Sequence, residues 1–553
     1  MGMEISGLGK VKETDVLVLG GGAGGSMAAI GAREQGARVL VVDKGVLESC
    51  GCIGAGNDHF CAHLNTGPDW DTDEAFTKYW SRRIQENSRV VESIFTKVVG
   101  AMIRQLEEIG IEFHKDADDG YYRTQSMGMP GPWWLMIKNG KYLKMKVAEK
   151  VRQAGAEETG HIMITKLLAN RGDVAGAVGF NVRDGDFYIF RAKKVVLALG
   201  GCNNARMWST TSPNPFNTGM HPYLTGSSNV LPYDAGAKLY GIDVKGRATL
   251  MSRGYSCGNT QAFTGMGGYQ LNALGERYML KYHPMAESAP RLVQVLATYQ
   301  EQIEGKGPPF YFDVRHLPKE DLEYLINNLL PVDINAFPDW LDQAGIDLRK
   351  DLLEVELGPF VSAGGELLVN EQGESSLSGL FGYPHMMLSG AFCGGYSAGV
   401  QAGKAALEAR NLVEIDAEAV DKEKVVVFAP LKRDTGYTWK EYEDMIRHVM
   451  HYYMGMVRRQ EGMEIALRKL GLLEQHVDEV KADNYHELLR AHESMVLLKQ
   501  CQLLVRAVME RKESGRAAYK RSDYPDLDRT LDNKRLVLWQ EGGEPKISFE
   551  SIE

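Results

Sequence analysis

Residues 15–44 read DVLVLGGGAGGSMAAIGAREQGARVLVVDK, and how this stretch folds decides the rest. Val16–Leu19 is an apolar run of strand length, and Gly20–Gly25 follows it as a turn. Ser26–Gln35 is a small-residue helix and Ala37–Val42 a second apolar strand. Strand, turn, helix and strand make one complete βαβ unit, the building block of a parallel sheet. The turn fits G-x-G-x-x-G. Gly20 makes the tight turn, Gly22 lets backbone amides approach a pyrophosphate, and Gly25 lets helix and strand pack closely. Ala23 and Gly24 stand at the helix N-terminus, where unpaired N–H groups and the macrodipole favour an anion. Asp43, with Lys44 beside it, ends the second strand where a carboxylate can bind ribose hydroxyls. A purely structural Gly-rich turn would need no acid there, so a dinucleotide site is expected.

Composition narrows the partners. The 553 residues are 44% hydrophobic, enough to bury a large core split into two to four domains. A net charge of −10 argues against nucleic acid, whose binders carry basic patches. No apolar run approaches the roughly 18–20 residues of a membrane span. The start, MGMEISGLGK, lacks the layout of a secretory signal and loosely fits a myristoylation pattern with no second anchor nearby. Seven unevenly spaced cysteines point to a reducing compartment rather than a disulfide scaffold. A cytoplasmic protein is expected.

Further along, 72–112 and 142–154 read as amphipathic helices joined by the loop SMGMPGPWW. Residues 173–199 alternate as strands around an Asp184–Gly185 turn. Mixed loops and short helices fill 248–356, a Gly-rich block runs 358–404, and 438–518 is largely helical. The chain from Asp523 on reads as an extended arm.

VVLALGGCNN (195–204) is a buried strand ending in glycines, and SSLSGLFGYPHMMLSGAFCGGYSAGVQAGKAA (375–406) is strand, Gly-rich loop and helix. With 15–44, these resemble the three segments of the fumarate reductase/succinate dehydrogenase flavoprotein superfamily. TGSSNVLPYDAGAKL (225–239) and ESGRAAYKRSDYPDLD (513–528) extend the likeness over nearly the whole chain. Within the superfamily, VAGAVGFNVRDGDFYIFRAKKVVLALGG (174–201), WWLMIKNGKYLKMKVAEKV (133–151) and YHELLRAHE (485–493) are most similar to adenylylsulfate reductase alpha subunits.

The resemblance implies an α/β fold: a Rossmann-like FAD-binding domain (1–247 and 357–425) interrupted by a capping domain (248–356). A helical domain (426–530) and a C-terminal arm (531–553) follow. It implies that Ala198, Gly200, Gly201, Tyr383, Ser397 and Ala398 approach FAD, with a small-molecule substrate between cap and isoalloxazine. It also implies an iron–sulfur, ferredoxin-like partner subunit, through which the chain could associate with a membrane.

The stretch ESCGCIGAGNDHFCAHL (48–64) would run along the flavin. Some members carry a flavin-linked histidine in this loop. Ser49, Cys50 and Gly51 stand in that neighbourhood here, so FAD is expected to be non-covalent. Gly51, Gly54 and Gly56 would press backbone onto a flat ring. C-x-C followed by a distant cysteine is neither a zinc nor an iron–sulfur pattern, so no metal is expected. Cys50 and Cys52 remain open as a redox dithiol, or as small flavin-lining side chains.

LNALGERYMLKY (271–282) resembles the G-E-R-[FY]-M motif, whose arginine the resemblance assigns as proton donor, here Arg277. A guanidinium serves so only beside a carboxylate and away from water, since its free pKa exceeds ~12. The substrate clamps of fumarate reductases are replaced: RATLMSRG stands for their F-H-P-T-G, Phe360 for a histidine, and SGAFCGG carries no arginine. The tryptophan of the adenylylsulfate site is also missing, near Gly219. Arg247, Arg253, His283, His385, His59 and Trp133/Trp134 remain as candidate substrate contacts, or as ordinary packing and surface charge. Four functions stay open. The first is a two-electron flavoprotein subunit of the adenylylsulfate-reductase type. The others are a fumarate-reductase-type C=C reductase using Arg277, a non-catalytic electron-transfer module, and a thiol–disulfide oxidoreductase using Cys50/Cys52.

Overall fold

The structure is a computed structural model that describes residues 4–125, 129–201, 207, 221, 223–244, 250–255, 260–333, 337–357, 366–517 and 519–553. Strand β1 (Lys10–Leu19), helix α1 (Ala23–Glu34) and strand β2 (Val39–Val42) form the βαβ unit. β1 outruns its apolar core because the more polar Lys10–Thr14 pair in parallel with Tyr188–Ala192. Val16–Leu19 are fully buried, each worth roughly 1.5–3 kcal/mol over the exposed state.

After β2 the chain leaves the sheet. β3 (His59–Cys61) is followed by α2 (Asp73–Ile84), then by β4 (Trp134–Met136), which pairs antiparallel with β3. α3 (Leu143–Gln153) leads back to β5 (Glu157–Thr159), β6 (Ile162–Asn170), β7 (Asp173–Asn181) and β8 (Phe187–Leu197). The sheet order is β5-β2-β1-β8-β7-β6, parallel at its centre and antiparallel from β8 outward.

A second sheet, fully antiparallel, stands apart. It is built from β9 (Leu250–Ser252), β10 (Tyr269–Leu271), β11 (Phe310–Asp313) and β12 (Leu353–Leu357), in the order β9-β12-β11-β10. Between its strands run α4 (Arg291–Ile303) and α5 (Lys319–Tyr324). The chain then rejoins the first sheet through β13 (Leu380–Phe381), parallel to β8.

α6 (Met387–Glu408) lies against α1. The approach is close enough that a Cβ on Gly395 would stand 2.1 Å from the Gly24 carbonyl oxygen. α7 (Trp439–Tyr453), α8 (Gln460–Gln475) and α9 (Tyr485–Glu510) form the helical part. α7 opens on a capping box between Thr438 and Glu441.

The arm expected at the C-terminus is instead a hairpin, β14 (Lys534–Glu541) and β15 (Glu544–Ser551). It joins Leu239–Tyr240 and Glu366–Leu367 in a four-stranded sheet. Its turn, Gly542–Gly543, has positive φ at both residues (61° and 85°), as a two-residue hairpin loop requires. Among the described residues no helix is long and apolar enough to cross a membrane.

Candidate active site

A cavity of about 870 Å³ opens over the glycine turn. Gly20 (φ +100°) makes the turn, and a Cβ there would meet the Ala198 carbonyl oxygen at 2.2 Å. A Cβ on Gly25 would meet the Gly20 carbonyl oxygen at 1.7 Å, so helix and strand touch here through bare backbone. Neither glycine lines the cavity; both hold its wall. Gly22, Ala23 and Gly24 do line it. The α1 N-terminus has no side-chain cap and no acid in its first turn, leaving its N–H groups for an anion.

Asp43 also lines the cavity, and it fixes the turn from behind. Its carboxylate accepts from the Gly21 N–H (2.8 Å) and the Gly45 N–H (2.7 Å), which leaves lone pairs for a further donor. Lys44 bonds Glu493 at 2.7 Å, and Glu493 bonds Arg490 at 2.6 Å. Arg490 in turn covers the Tyr223 ring at 3.9 Å. Lys144, 1% exposed, donates to the Gly21 carbonyl (2.6 Å) and to Ser26 Oγ (3.2 Å). A cation thus sits beneath the turn, its pKa lowered by burial. An open helix end, an acid on the β2 end and a long cavity fit FAD, whose pyrophosphate, ribose and rings need those three things in that order.

The cysteine loop forms the next wall. Cys50, Gly51, Cys52 and Gly56 line the cavity with Ala198, Gly200 and Tyr383. Burial, and then the charge of Asp43, push the Cys50 thiol up to about 12. Both loop cysteines are free. Burial raises the Cys52 thiol as well, and both shifts work against the thiolate that a redox dithiol uses.

Some expected contacts lie elsewhere. Ser397 and Ala398 are not at the cavity, because α6 begins at Met387, ten residues upstream. They lie two to three turns inside the helix, with Ala398 packed near Gly373; Met387, Leu388 and Ala391 stand at the cavity in their place. Gly54 faces the Ser49 carbonyl in a short 3₁₀ turn, and Gly201 is off the wall.

Arg277 is the main correction. It does not line the cavity. Its guanidinium donates to both oxygens of Glu287 (3.0 and 2.7 Å) and lies 3.7 Å from the Tyr269 ring centre. The Glu287 hydrogen bonds raise its pKa, the wrong direction for a proton donor. Arg253 pairs with Glu354 at the surface. His283 accepts from the Met285 N–H (3.1 Å), away from the cavity, and Trp133 is buried against Phe76 and Tyr79. Trp134 is one layer back, beneath His59. His59 and His385 do line the cavity. Arg247, Phe360 and the Gly219 neighbourhood lie outside the described residues.

The sequence reading missed three arginines. Arg82 and Arg83 end α2, and Arg291 opens α4 directly after its N-cap Pro290; all three line the cavity. Arg291 is only 9% exposed. Burial, then the neighbouring charge of Arg83, bring its pKa down to about 10, opposed by Tyr79. Arg83 donates to the Tyr79 hydroxyl at 3.0 Å, and among the described residues no carboxylate pairs with it. A lone arginine at a helix start matches no short motif; only its Pro-Arg position marked it.

Two family descriptions match the chain. "FAD binding domain" matches residues 15–382, and "Fumarate reductase flavoprotein C-term" matches 443–553. An uncharacterized FAD-dependent oxidoreductase of Methanocaldococcus jannaschii is 27% identical over 93% of this chain and 94% of its own. A subunit of fumarate reductase (CoM/CoB) from Methanothermobacter marburgensis is 27% identical over 97% of this chain and 98% of its own. Among solved structures, adenylylsulfate reductase of Archaeoglobus fulgidus matches with a TM-score of 0.87 at 23% identity, covering 98% of this chain and 96% of that one. That last likeness concerns the fold.

Proposed function

Because the chain belongs to the FAD binding domain family and carries a fumarate reductase flavoprotein C-terminal domain, we propose that it is the flavoprotein subunit of a two-electron oxidoreductase acting on a small anionic substrate. The observation that carries this reading is the arginine pair. Arg83 and Arg291 feel each other's charge on the cavity wall. Asp43 takes backbone N–H groups, and Glu493 is shared by Lys44 and Arg490. Guanidiniums on the wall of a low-dielectric cavity favour an anionic ligand.

FAD, when bound, supplies the two-electron donor or acceptor. Arg83 grips the substrate's carboxylate or similar acid group. Arg291, whose proton is held more loosely than an ordinary guanidinium's, protonates the substrate atom that gains electrons, or takes its proton in the reverse direction. α4, carrying Arg291, comes from the segment bearing the second sheet and shields this chemistry from water. Electrons enter or leave through an iron–sulfur partner. A relative named as one subunit of an enzyme supports a partner of some kind, and among the described residues no group of cysteines could hold a cluster in this chain.

The test is anaerobic photoreduction of the purified holoprotein, followed by mixing with fumarate, adenylylsulfate, sulfite, and neutral fumaramide. Reoxidation of the flavin by a charged acceptor but not by the amide supports the reading. Reoxidation only by a ferredoxin, with every anion inert, replaces it by the electron-transfer module.

A further inference from the structure

Lys144 is a charge in an apolar place. It is the second residue of α3, on a helical stripe that it shares with Ala148 and Val151, both buried. A leucine or methionine is the ordinary occupant of such a position. Lys144 is 1% exposed. Its stem packs as an aliphatic side chain would, and its ammonium ends beneath the glycine turn, donating to the Gly21 carbonyl and to Ser26 Oγ.

Those two bonds do not call for a cation. The Gly21 carbonyl already accepts from the Ser26 hydroxyl at 2.9 Å, so a neutral side chain at 144 would orphan neither group. Three ionisable neighbours, Cys50, Asp43 and Glu48, act on the ammonium. Cys50 is a thiol raised by burial. Asp43 is held by the Gly21 and Gly45 N–H groups and Glu48 by Arg152, and among the described residues neither carboxylate forms an ion pair with Lys144. A buried cation that no ion pair neutralises costs stability. A residue that costs stability and is not needed for the local hydrogen bonds implies a ligand.

The peptide under Lys144 leads to one. The Gly21 carbonyl and the Gly22 N–H belong to the same trans peptide unit and point in opposite directions. With Lys144 on the oxygen, the N–H is turned away from the ammonium. Gly22 lines the cavity, and its N–H has no partner among the described residues. A cation on the peptide oxygen polarises the unit and makes its N–H a stronger donor. The field of the ammonium also adds to the macrodipole of α1, which begins at the next residue, Ala23. Both effects favour an anion at the turn.

We propose that Lys144 is a positioning residue for the FAD pyrophosphate, acting through the Gly21–Gly22 peptide and through its own field without touching the cofactor. This rests on FAD binding at the glycine corner and is independent of the anionic-substrate reading.

The test strips the full-length protein of flavin and titrates FAD back, followed by flavin fluorescence, in the parent, Lys144→Met and Lys144→Gln. Thermal melts of the flavin-free protein run alongside. Met keeps most of the aliphatic stem without the charge; Gln also offers a donor for the Gly21 carbonyl, again without charge. Both variants should bind FAD about 10- to 100-fold more weakly, while the flavin-free Lys144→Met protein melts at the parent's temperature or above it. Those opposite signs mark a charge kept for a ligand, since a merely structural lysine lowers the melt when removed. FAD affinity unchanged in Lys144→Met overturns the proposal. Affinity restored in Lys144→Gln does so too, because the bond and not the charge would then matter. A flavin-free melt that falls in Lys144→Met, or failure of both variants to fold, assigns Lys144 to the fold and overturns it. If Lys144→Met alone fails to fold, Lys144→Gln carries both readouts. A parent that does not take up FAD overturns the cofactor's place at the corner, and this proposal with it.

Discussion

At the glycine corner, the groups that shape the site lie within one βαβ unit, residues 20–25 and 43–45, and the main chain shapes them. On the cavity wall that holds Arg291, the groups come from residues 57 and 59, from α2 and from α4, and side chains shape them. The shape of the first region can be disturbed only by adding atoms where backbone meets backbone. The second can be disturbed by exchanging one charge for a neutral group of the same size. If the division is real, variants in the two regions will fail differently: loss of cofactor at the corner, loss of chemistry with the cofactor retained around Arg291.

The largest effect is expected at the arginines, and a paired substitution sharpens it. Arg291→Gln should lower the rate with any acceptor that reoxidises the flavin by about 10²–10⁴, the usual weight of a general acid, while FAD stays bound. Arg277→Gln should leave that rate within about threefold, because its guanidinium is held by Glu287 outside the cavity. Its cost would appear as stability, about 1–2 kcal/mol, since Glu287 is buried but keeps the Gln270 N–H. Stopped-flow reoxidation and thermal melts of the two variants decide it. The reverse ranking would return the acid role to Arg277.

Next comes the glycine corner. Gly25→Ala places a methyl at 1.7 Å from the Gly20 carbonyl oxygen, so turn and helix must part. Overpacking of this kind costs about 1–3 kcal/mol, which corresponds to FAD binding weakened roughly 5- to 150-fold. The flavin-to-protein absorbance ratio after dialysis measures it. Full flavin content would mean the corner tolerates separation, and the contrast between the regions would blur.

The same contrast explains what the sequence revealed. The dinucleotide half was legible because its meaning is local: strand, glycines, helix and acid follow one another, and each has a backbone reason. Ser397 and Ala398 were misplaced because helix α6 runs straight through the glycines of SGAFCGG, which serve its packing on α1 rather than a loop. The hairpin 534–551 was missed although Gly542–Gly543 sits between two alternating runs. The arginine in the recognisable motif turned out to be an ion pair, and the one at the cavity carries no motif. Its place depends on α4 meeting Tyr79 and Arg83 of α2 across about two hundred residues of chain, and no window of sequence contains that contact. His59 was legible as a candidate, but its Asp58 partner and Trp134 platform were not.

The smallest effect is expected at the foot of the βαβ unit, where the dinucleotide half meets acid. Burial works against ionisation of Asp15, but the Arg38 side chain and N–H (3.1 and 3.0 Å) and Lys193 (3.1 Å) outweigh it, and its pKa falls to about 2. A carboxyl lowered in the folded state stabilises above its unfolded value, near 3.8, and loses that contribution as pH falls through about 2. After discounting for solvent screening, about 1 kcal/mol is at stake. Asp15→Asn should therefore melt lower than the parent at neutral pH, converge with it as the pH approaches 2, and reoxidise its flavin at the parent's rate. The acid response then belongs to the fold alone. A reoxidation rate altered by Asp15→Asn would show the foot of the sheet coupled to the pocket through β1, and the division between main-chain corner and side-chain pocket would not hold.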